Sequence, residues 1–169
     1  MDTTTQPNEA APLSIVFAPW KTPVENDELS LVSLSYGGVS TIVDCHSEGF
    51  SLEVPASGSL GAGDLEAVFL SVEKKSVVVF RFESPMAFRV LDEHGLLDIW
   101  TASGETPRPA QTTFMVKGHK WQQESELSWF MGGIEFSLMI ATDWNCLEVV
   151  GQEPTVELRP AIVHLHAGK

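Results

Sequence analysis

The clearest indication of the fold of this 169-residue chain is the run 67-AVFLSVEKKSVVVFRF-82. Ala67 to Glu73 and Ser76 to Phe82 have the length and the β-branched and aromatic content of strands, and Lys74-Lys75 between them predicts a turn. Apolar residues occupy both faces of the second strand, at Val78, Phe80 and Phe82 on one face and at Val77 and Val79 on the other. This pattern predicts a central strand that is covered on both sides.

Upstream of this stretch, short apolar runs alternate with turn residues. Leu29 to Tyr36 shows a one-residue slip in its alternation near Leu31-Val32, which predicts a β-bulge. Gly37-Gly38 then predicts a hairpin turn into a strand over Val39 to Cys45. A shorter strand is predicted at Phe50 to Val54, followed by a Gly/Ser-rich loop over residues 57–63.

Downstream, the same alternation of apolar runs and turn residues predicts six further strands: Met86 to Leu91, Phe114 to Lys117, Ile134 to Thr142, Cys146 to Val150, Thr155 to Leu158 and Ala161 to Leu165. One segment, Gln122 to Met131, predicts a helix that ends at Gly132-Gly133. Its apolar residues Leu127, Phe130 and Met131 share a face.

Together these elements predict a mainly β (β-rich α+β) fold, an antiparallel sandwich or a partly open barrel with one or two short helices. The polar residues 1–12 predict a flexible N-terminal tail, and 13–169 a single β-rich domain. The oligomeric state stays open at this point.

The charge balance is strongly acidic, with 10 Lys and Arg against 23 Asp and Glu and a formal net charge of −13. The negative electrostatic field of such a protein repels phosphate backbones and anionic membrane surfaces, so neither nucleic acid nor a membrane is expected as a partner. A basic partner would be attracted. Because the N-terminus has no basic start and no apolar run, we expect a cytoplasmic protein.

The sequence contains no nucleophile elbow, phosphate-binding loop, dinucleotide fingerprint or CxxC pair. This absence favours a non-catalytic protein without a cofactor. Cys45 and Cys146 are expected to be free thiols. His164 and His166 lie two apart on a predicted strand and would project from one face, the arrangement of two zinc ligands. His119, or Asp44 and His46, could complete the set, but nothing in the sequence fixes a third ligand, and solvent-facing histidines are the favoured interpretation.

The residues expected to bind a partner lie between Arg89 and Pro109 and in the tryptophan-bearing loops: Arg89, Asp92, Glu93, Trp100, Asp143 and Trp144. Arg89 lies in an apolar setting and requires a carboxylate, so an ion pair with Asp92, Glu93 or Glu148 is one interpretation and an anion clamp the other. The loop from Thr101 to Thr113, with two prolines, is the predicted place for a lid or a binding edge.

Two runs, Val79-Phe-Arg-Phe-Glu83 with Ala87-Phe-Arg-Val-Leu-Asp-Glu93 and the later Leu138 to Val150 followed by Pro154, resemble small uncharacterised bacterial β-rich proteins of the toxin-immunity type. The resemblance covers roughly residues 77–158 and carries no functional residue across. It implies a protein that binds and neutralises a toxin, for which a basic target would suit the acidic charge.

Two functional hypotheses follow from these observations. The first is a non-catalytic acidic protein-binding module, in its narrower form an immunity protein that neutralises a basic toxin. The alternative is a barrel-like protein that binds a small ligand, or an enzyme, with an interior cavity.

Overall fold

A computed structural model of the chain describes residues 14–37, 41–45, 50–54, 60–61 and 63–162. The described strands are β1 (Val16–Pro19), β2 (Leu29–Tyr36), β3 (Thr41–Cys45), β4 (Phe50–Val54), β5 (Leu65–Ser71), β6 (Ser76–Phe82), β7 (Ala87–Asp92), β8 (Thr113–Lys117), β9 (Ser137–Ile140), β10 (Asn145–Val150) and β11 (Thr155–Pro160). The described helices are a 3₁₀ turn at Glu93–Leu96 and the short α-helices α1 (Leu97–Ala102), α2 (Lys120–Glu124) and α3 (Glu126–Gly132).

Two antiparallel sheets stack on each other. Sheet A has the strand order β1-β8-β9-β10-β7, and sheet B has the order β11-β6-β5-β2, while β3 and β4 pair as a separate ribbon. The three α-helices cover the face of sheet A that points away from sheet B. The predicted mainly β sandwich with short helices is therefore confirmed.

The β5–β6 hairpin forms as the sequence predicts. Its register runs from Leu65 opposite Phe82 to Ser71 opposite Ser76, and the turn contains Lys75 at a positive φ of 48°. Strand β6 lies between β11 and β5, so its predicted central position is confirmed. Val78, Phe80 and Phe82 point into the core, and Val79 on the opposite face is also buried.

The predicted bulge in β2 is confirmed, because the register with β5 shifts between Leu31 and Ser33. The predicted hairpin through Gly37-Gly38 is wrong. Strand β2 pairs with β5, Gly37 N donates to the carbonyl of Asp64, and β3 pairs with β4 instead. Pairing with β5 places Leu29, Leu31 and Leu34 of β2 against the main core, which favours this arrangement through burial of apolar surface.

The main core lies between the two sheets. Sheet B contributes the buried side chains Leu65, Ala67, Phe69, Val78, Phe80 and Phe82, and sheet A contributes Leu138, Ile140, Leu147 and Val149. Phe80 is central to this cluster: its ring centroid lies 5.5 Å from that of Phe69 and 6.1 Å from that of Trp20. These edge-to-face and tilted contacts add to the stabilisation from burial alone.

A second core lies between sheet A and the helical layer. It contains Leu96 and Ile99 from the helical side and Phe114, Val116, Met139 and Cys146 from the sheet. The side chains of β10 therefore alternate between the two cores, with Leu147 and Val149 in the first and Cys146 in the second. Strand β10 is consequently covered on both sides.

The helix predicted over Gln122 to Met131 differs from the observed one in two respects. It is broken at Ser125 into α2 and α3, and the predicted apolar face is turned outward: Leu127, Phe130 and Met131 are 74%, 78% and 70% exposed, respectively. Trp129 is the buried residue of α3, at 3% exposure. A Cβ at Gly132 would lie 2.7 Å from Met86 Cγ, so α3 approaches Met86 closely at this glycine. Trp129 is the one large side chain that α3 buries.

Other differences are local. Strand β1 lacks a counterpart among the predicted strands, and Ala161 and Ile162 follow β11 without strand structure. The remainder of the predicted strand to Leu165, the N-terminal tail 1–12 and most of the Gly/Ser-rich loop lie outside the described residues. No helix in the described part of the chain is long and apolar enough to cross a membrane.

Paired substitutions test the position of Phe80 and the orientation of α3. We expect Phe80→Ala to lower the free energy of unfolding by about 3–5 kcal/mol, because it opens a cavity between the sheets. Phe130→Ala is the matched control, and a change within about 0.5 kcal/mol is expected because that ring faces solvent. Urea denaturation followed by circular dichroism measures both, and a large loss in Phe130→Ala would contradict the outward orientation of α3.

Candidate functional site

Five of the six predicted partner-binding residues gather at one end of sheet A, and we call this surface the acidic edge: Asp92, Glu93, Trp100, Asp143 and Trp144. Asp92 ends β7 and lies in register opposite Asn145, the first residue of β10. The turn that joins β9 to β10 therefore lies beside the 3₁₀ turn that follows β7. The antiparallel pairing of β7 with β10 brings together Asp92 and Asn145, which are 53 positions apart in the chain.

Local hydrogen bonds order both halves of the acidic edge. The Asp92 carboxylate accepts a hydrogen bond from Gly95 N at 3.0 Å and caps the 3₁₀ turn. The indole Nε1 of Trp100 donates to the carbonyl of Glu93 at 2.6 Å. In the facing turn, Thr142 Oγ1 accepts from the backbone N–H groups of Trp144 and Asn145. These bonds fix the backbone that presents Trp144.

Trp144 projects from this turn into solvent and is 77% exposed. It lines a cleft of about 240 Å³, whose opposite wall is formed by residues 28–31 at the start of β2. Asp143 and Thr142 line both this cleft and a neighbouring one. The acidic edge is therefore a continuous surface with two adjoining depressions.

The neighbouring cleft has a volume of about 360 Å³ and is lined by Glu93, Trp100, Arg108, Ala110, Gln111, Thr112, Ala141, Thr142 and Asp143. The guanidinium of Arg108 lies 4.9 Å from the ring centroid of Trp100 and 5.2 Å from that of Phe114. Burial lowers the pKa of Arg108 from its ordinary value. We call this depression the Arg108 cleft.

Arg108 was not among the predicted site residues, although the predicted binding edge, Thr101 to Thr113, contains it. The loop does line the Arg108 cleft, through Arg108 and residues 110–112. A signal was present in the sequence: the arginine stands between Pro107 and Pro109. Proline fixes its own φ and restricts the preceding residue, so a cation flanked by two prolines has little backbone freedom.

Arg89, the sixth predicted residue, lies apart from the acidic edge under the helical layer. It forms the ion pair that was one interpretation of its position, with Glu148 directly opposite in β10. Arg89 Nε donates to Glu148 Oε2 at 2.8 Å, and Nη2 lies 2.6 Å from the same oxygen. Its guanidinium also lies 4.6 Å from the ring centroid of Trp121 in α2.

Glu148 joins Arg89 to two further polar side chains, and we call this group the Glu148 cluster: Arg89, His119, Ser137 and Glu148. His119 Nε2 lies 2.7 Å from Glu148 Oε1, and the Ser137 hydroxyl contacts the same oxygen. Glu148 is 1% exposed and His119 is fully buried. The rings of Trp121 and Trp129 pack against His119 at centroid distances of 6.4 and 6.0 Å.

Gly118 allows His119 to reach this position. It has a φ of +83°, and a Cβ there would collide with the backbone carbonyl of Ser14. The chain turns at Gly118 from β8 directly into α2, so His119 points down onto sheet A. Gln122 and Gln123 in α2 hold the turn through hydrogen bonds to the backbone N–H and carbonyl of Gly118.

Opposing effects set the pKa of Glu148. Burial acts to raise it, but the hydrogen bond and charge of His119, the charge of Arg89 and the hydrogen bond from Ser137 outweigh burial and lower the pKa below its ordinary value. Glu148 is therefore an ionised carboxylate with partners on every side. This arrangement fastens α2 to sheet A, and its closed packing suits a structural role.

The outer face of α3, formed by Leu127, Phe130 and Met131, is a separate apolar surface. Met86, 45% exposed, lies beside it, because Gly132 packs against Met86. Met86 N donates to the carbonyl of Val150, at the end of β10 opposite to Asn145. The outer face of α3 and the acidic edge are thus at opposite ends of sheet A.

The remaining residues considered in the sequence, two cysteines and two histidines, form no site in the described part of the chain. Cys146 is a free, buried thiol, and burial is the main cause that raises its pKa, which disfavours the reactive thiolate. His164 and His166 lie outside the described residues, as does the side chain of Cys45. No family model, no curated protein and no solved structure matches the chain.

The Glu148 cluster predicts a specific effect of substitution and pH. We expect Glu148→Gln to lower the free energy of unfolding by about 3–5 kcal/mol at pH 7, because Arg89 and His119 lose their buried carboxylate. Since the folded-state pKa of Glu148 is lowered, its ionised form stabilises the protein above the unfolded-state pKa of about 4.3, and this stabilisation is lost as pH falls through the folded-state pKa.

Denaturant titrations of both proteins at pH 7 and at several pH values below 4.3 measure this difference, which should shrink as the solution becomes more acidic. Glu157→Gln is the matched control, because Glu157 forms an exposed pair with Arg159, and little change is expected. A pH-independent difference between wild type and Glu148→Gln would contradict the assignment of the charge to Glu148.

Proposed function

We propose that this protein is a non-catalytic acidic protein-binding module whose acidic edge binds a basic partner protein, and that the partner is a toxin that it neutralises. The observation that carries the binding proposal is Trp144, an almost fully exposed indole held on a hydrogen-bonded turn. Exposed tryptophans bury a large area on binding at a small cost in side-chain entropy. An exposed tryptophan that no partner covers lowers the solubility of the protein.

Charge supports the choice of partner. Asp92, Glu93 and Asp143 surround the two tryptophans, and all three are exposed. The net charge of −13 extends the negative field over the whole molecule. Association with a basic surface would therefore be accelerated by electrostatic steering and weakened by salt. A basic nuclease-like toxin has the surface that this edge would suit.

The alternative of an interior ligand cavity receives less support. The space between the sheets is occupied by packed side chains, including the rings of Phe69, Phe80 and Phe82. The two clefts of the acidic edge are surface depressions at the end of sheet A. The described depressions lie on the surface and the described interior is packed, so a protein-binding edge is better supported than an enclosed ligand site.

Affinity capture from the cells that produce this protein tests the proposal. Tagged wild-type protein should recover one stoichiometric basic protein, and the recovery should fall when the salt concentration is raised. Trp144→Ala should weaken the purified complex by at least about tenfold, as expected for an interface hot spot. Isothermal titration calorimetry measures this difference.

Leu127→Ser/Phe130→Ser is the matched control, because it changes the apolar face at the other end of sheet A and should leave this affinity unchanged. Expression of the recovered partner alone should arrest growth, and co-expression with the wild-type protein should relieve the arrest. Recovery of no stoichiometric partner would contradict the binding proposal, as would equal binding by Trp144→Ala. A partner without growth inhibition would contradict only the toxin assignment.

A further inference from the structure

Arg108 differs from the other arginines of this acidic chain. The sequence has four arginines, at positions 81, 89, 108 and 159. Arg81 pairs with Glu66 and Glu157, Arg89 with Glu148, and Arg159 with Glu157. Within the described residues Arg108 forms no ion pair, although carboxylates outnumber cationic side chains more than twofold. A half-buried guanidinium without a carboxylate is unfavourable unless something else compensates its charge.

Carboxylates are present in the same cleft and still do not pair with Arg108. Glu93 and Asp143 both line the Arg108 cleft, and neither forms an ion pair with the guanidinium in the part of the chain that is described. Stacking on Trp100 and Phe114 holds the guanidinium in place, and the flanking prolines restrict the backbone that carries it. The cleft thus keeps one positive and two negative groups apart.

The wall of the cleft carries one more unsatisfied polar group. The side-chain oxygen Oε1 of Gln111 is buried and has no hydrogen-bond partner among the described residues. The adjacent Thr112 is fully engaged, since its N–H donates to the carbonyl of Glu25, its carbonyl accepts from Ala141 N and its hydroxyl donates to the carbonyl of Asp27. These bonds hold residue 112, so the Gln111 amide has a rigid neighbour. A buried side-chain oxygen without a partner is unfavourable, and Gln111 shares this state with other buried polar atoms of the described residues, among them His119 Nδ1 and Trp129 Nε1.

We propose that the Arg108 cleft binds a small zwitterion of the free amino-acid class. The ligand's carboxylate lies against the guanidinium of Arg108, which can hold it through two parallel hydrogen bonds. Its ammonium group is attracted by Glu93 and Asp143, which line the same cleft. A volume of about 360 Å³ is at the lower end of the range for small-molecule sites, which suits a ligand of this size. This proposal does not depend on a protein partner.

Thermal-shift measurements with each of the twenty free amino acids at millimolar concentration, followed by isothermal titration calorimetry, test the proposal on the full chain. At least one amino acid should raise the melting temperature of the wild-type protein. Arg108→Gln should weaken its binding by at least about tenfold, and Arg108→Lys should weaken it less, because it keeps the charge but loses the planar fork.

Two control variants separate this site from its surroundings. Arg159→Gln removes an arginine from an exposed pair and should bind as wild type does. Trp144→Ala should also bind the amino acid normally, because Trp144 lines the other cleft; the two proposals can therefore fail separately. Circular dichroism of each variant verifies that it is folded.

Three results would overturn the proposal. They are no binding by any of the twenty amino acids, unchanged binding in a folded Arg108→Gln variant, and equal binding of the corresponding amino-acid amide, which lacks the carboxylate. Acetate and inorganic phosphate serve as further probes. If either binds as tightly as the best amino acid, the cleft recognises an anion alone, and the assignment of Glu93 and Asp143 to an ammonium group is wrong.

Discussion

The ion pair between Arg89 and Glu148 is made directly across the β7–β10 ladder, and the carboxylate has a second oxygen available for His119 and Ser137. One buried charge thereby connects β7, β9, β10 and the start of α2. Such a group is unfavourable in an apolar layer unless each oxygen has a partner, so the positions of Arg89, His119 and Ser137 are tightly constrained. Two tryptophans, Trp121 and Trp129, close the cluster from the helical side.

This constraint also explains the orientation of α3. Trp129 packs on His119, and Gly132 approaches Met86 closely. Once the tryptophan is buried there, Leu127, Phe130 and Met131 must point to the opposite side of the helix. The polar cluster under the helices and the apolar surface above them are thus two consequences of the same packing. A hydrophobic pattern in a seven-residue helix is a weak guide when one tryptophan and a close backbone contact compete with it.

One end of sheet A and its middle differ in their chemistry. At the end marked by Asp92 and Asn145, the surface carries carboxylates, the exposed Trp144, the half-buried Trp100 and Arg108. The middle of the same sheet carries the closed Glu148 cluster. Arg89 and Arg108 illustrate the contrast, because both stack on tryptophan but only Arg89 has a carboxylate in reach. Arg89 is paired inside the closed Glu148 cluster, whereas Arg108 lies in an open cleft without an ion pair among the described residues.

The sequence predicted most of the strands but not β1, and it predicted the bulge in β2, the β5–β6 hairpin and the mainly β class, because alternation and turn residues act over a few positions. Five of the six residues that the sequence singled out lie together at the acidic edge, and their role in binding stays a prediction. Only the tertiary structure decided that β2 pairs with β5, that Glu148 rather than Asp92 or Glu93 neutralises Arg89, and that His119 joins them. These pairings join residues about 30 to 60 positions apart in the chain. Which strands and side chains pair is determined by the total burial of charge and apolar surface, and the local sequence pattern carries no information about that burial.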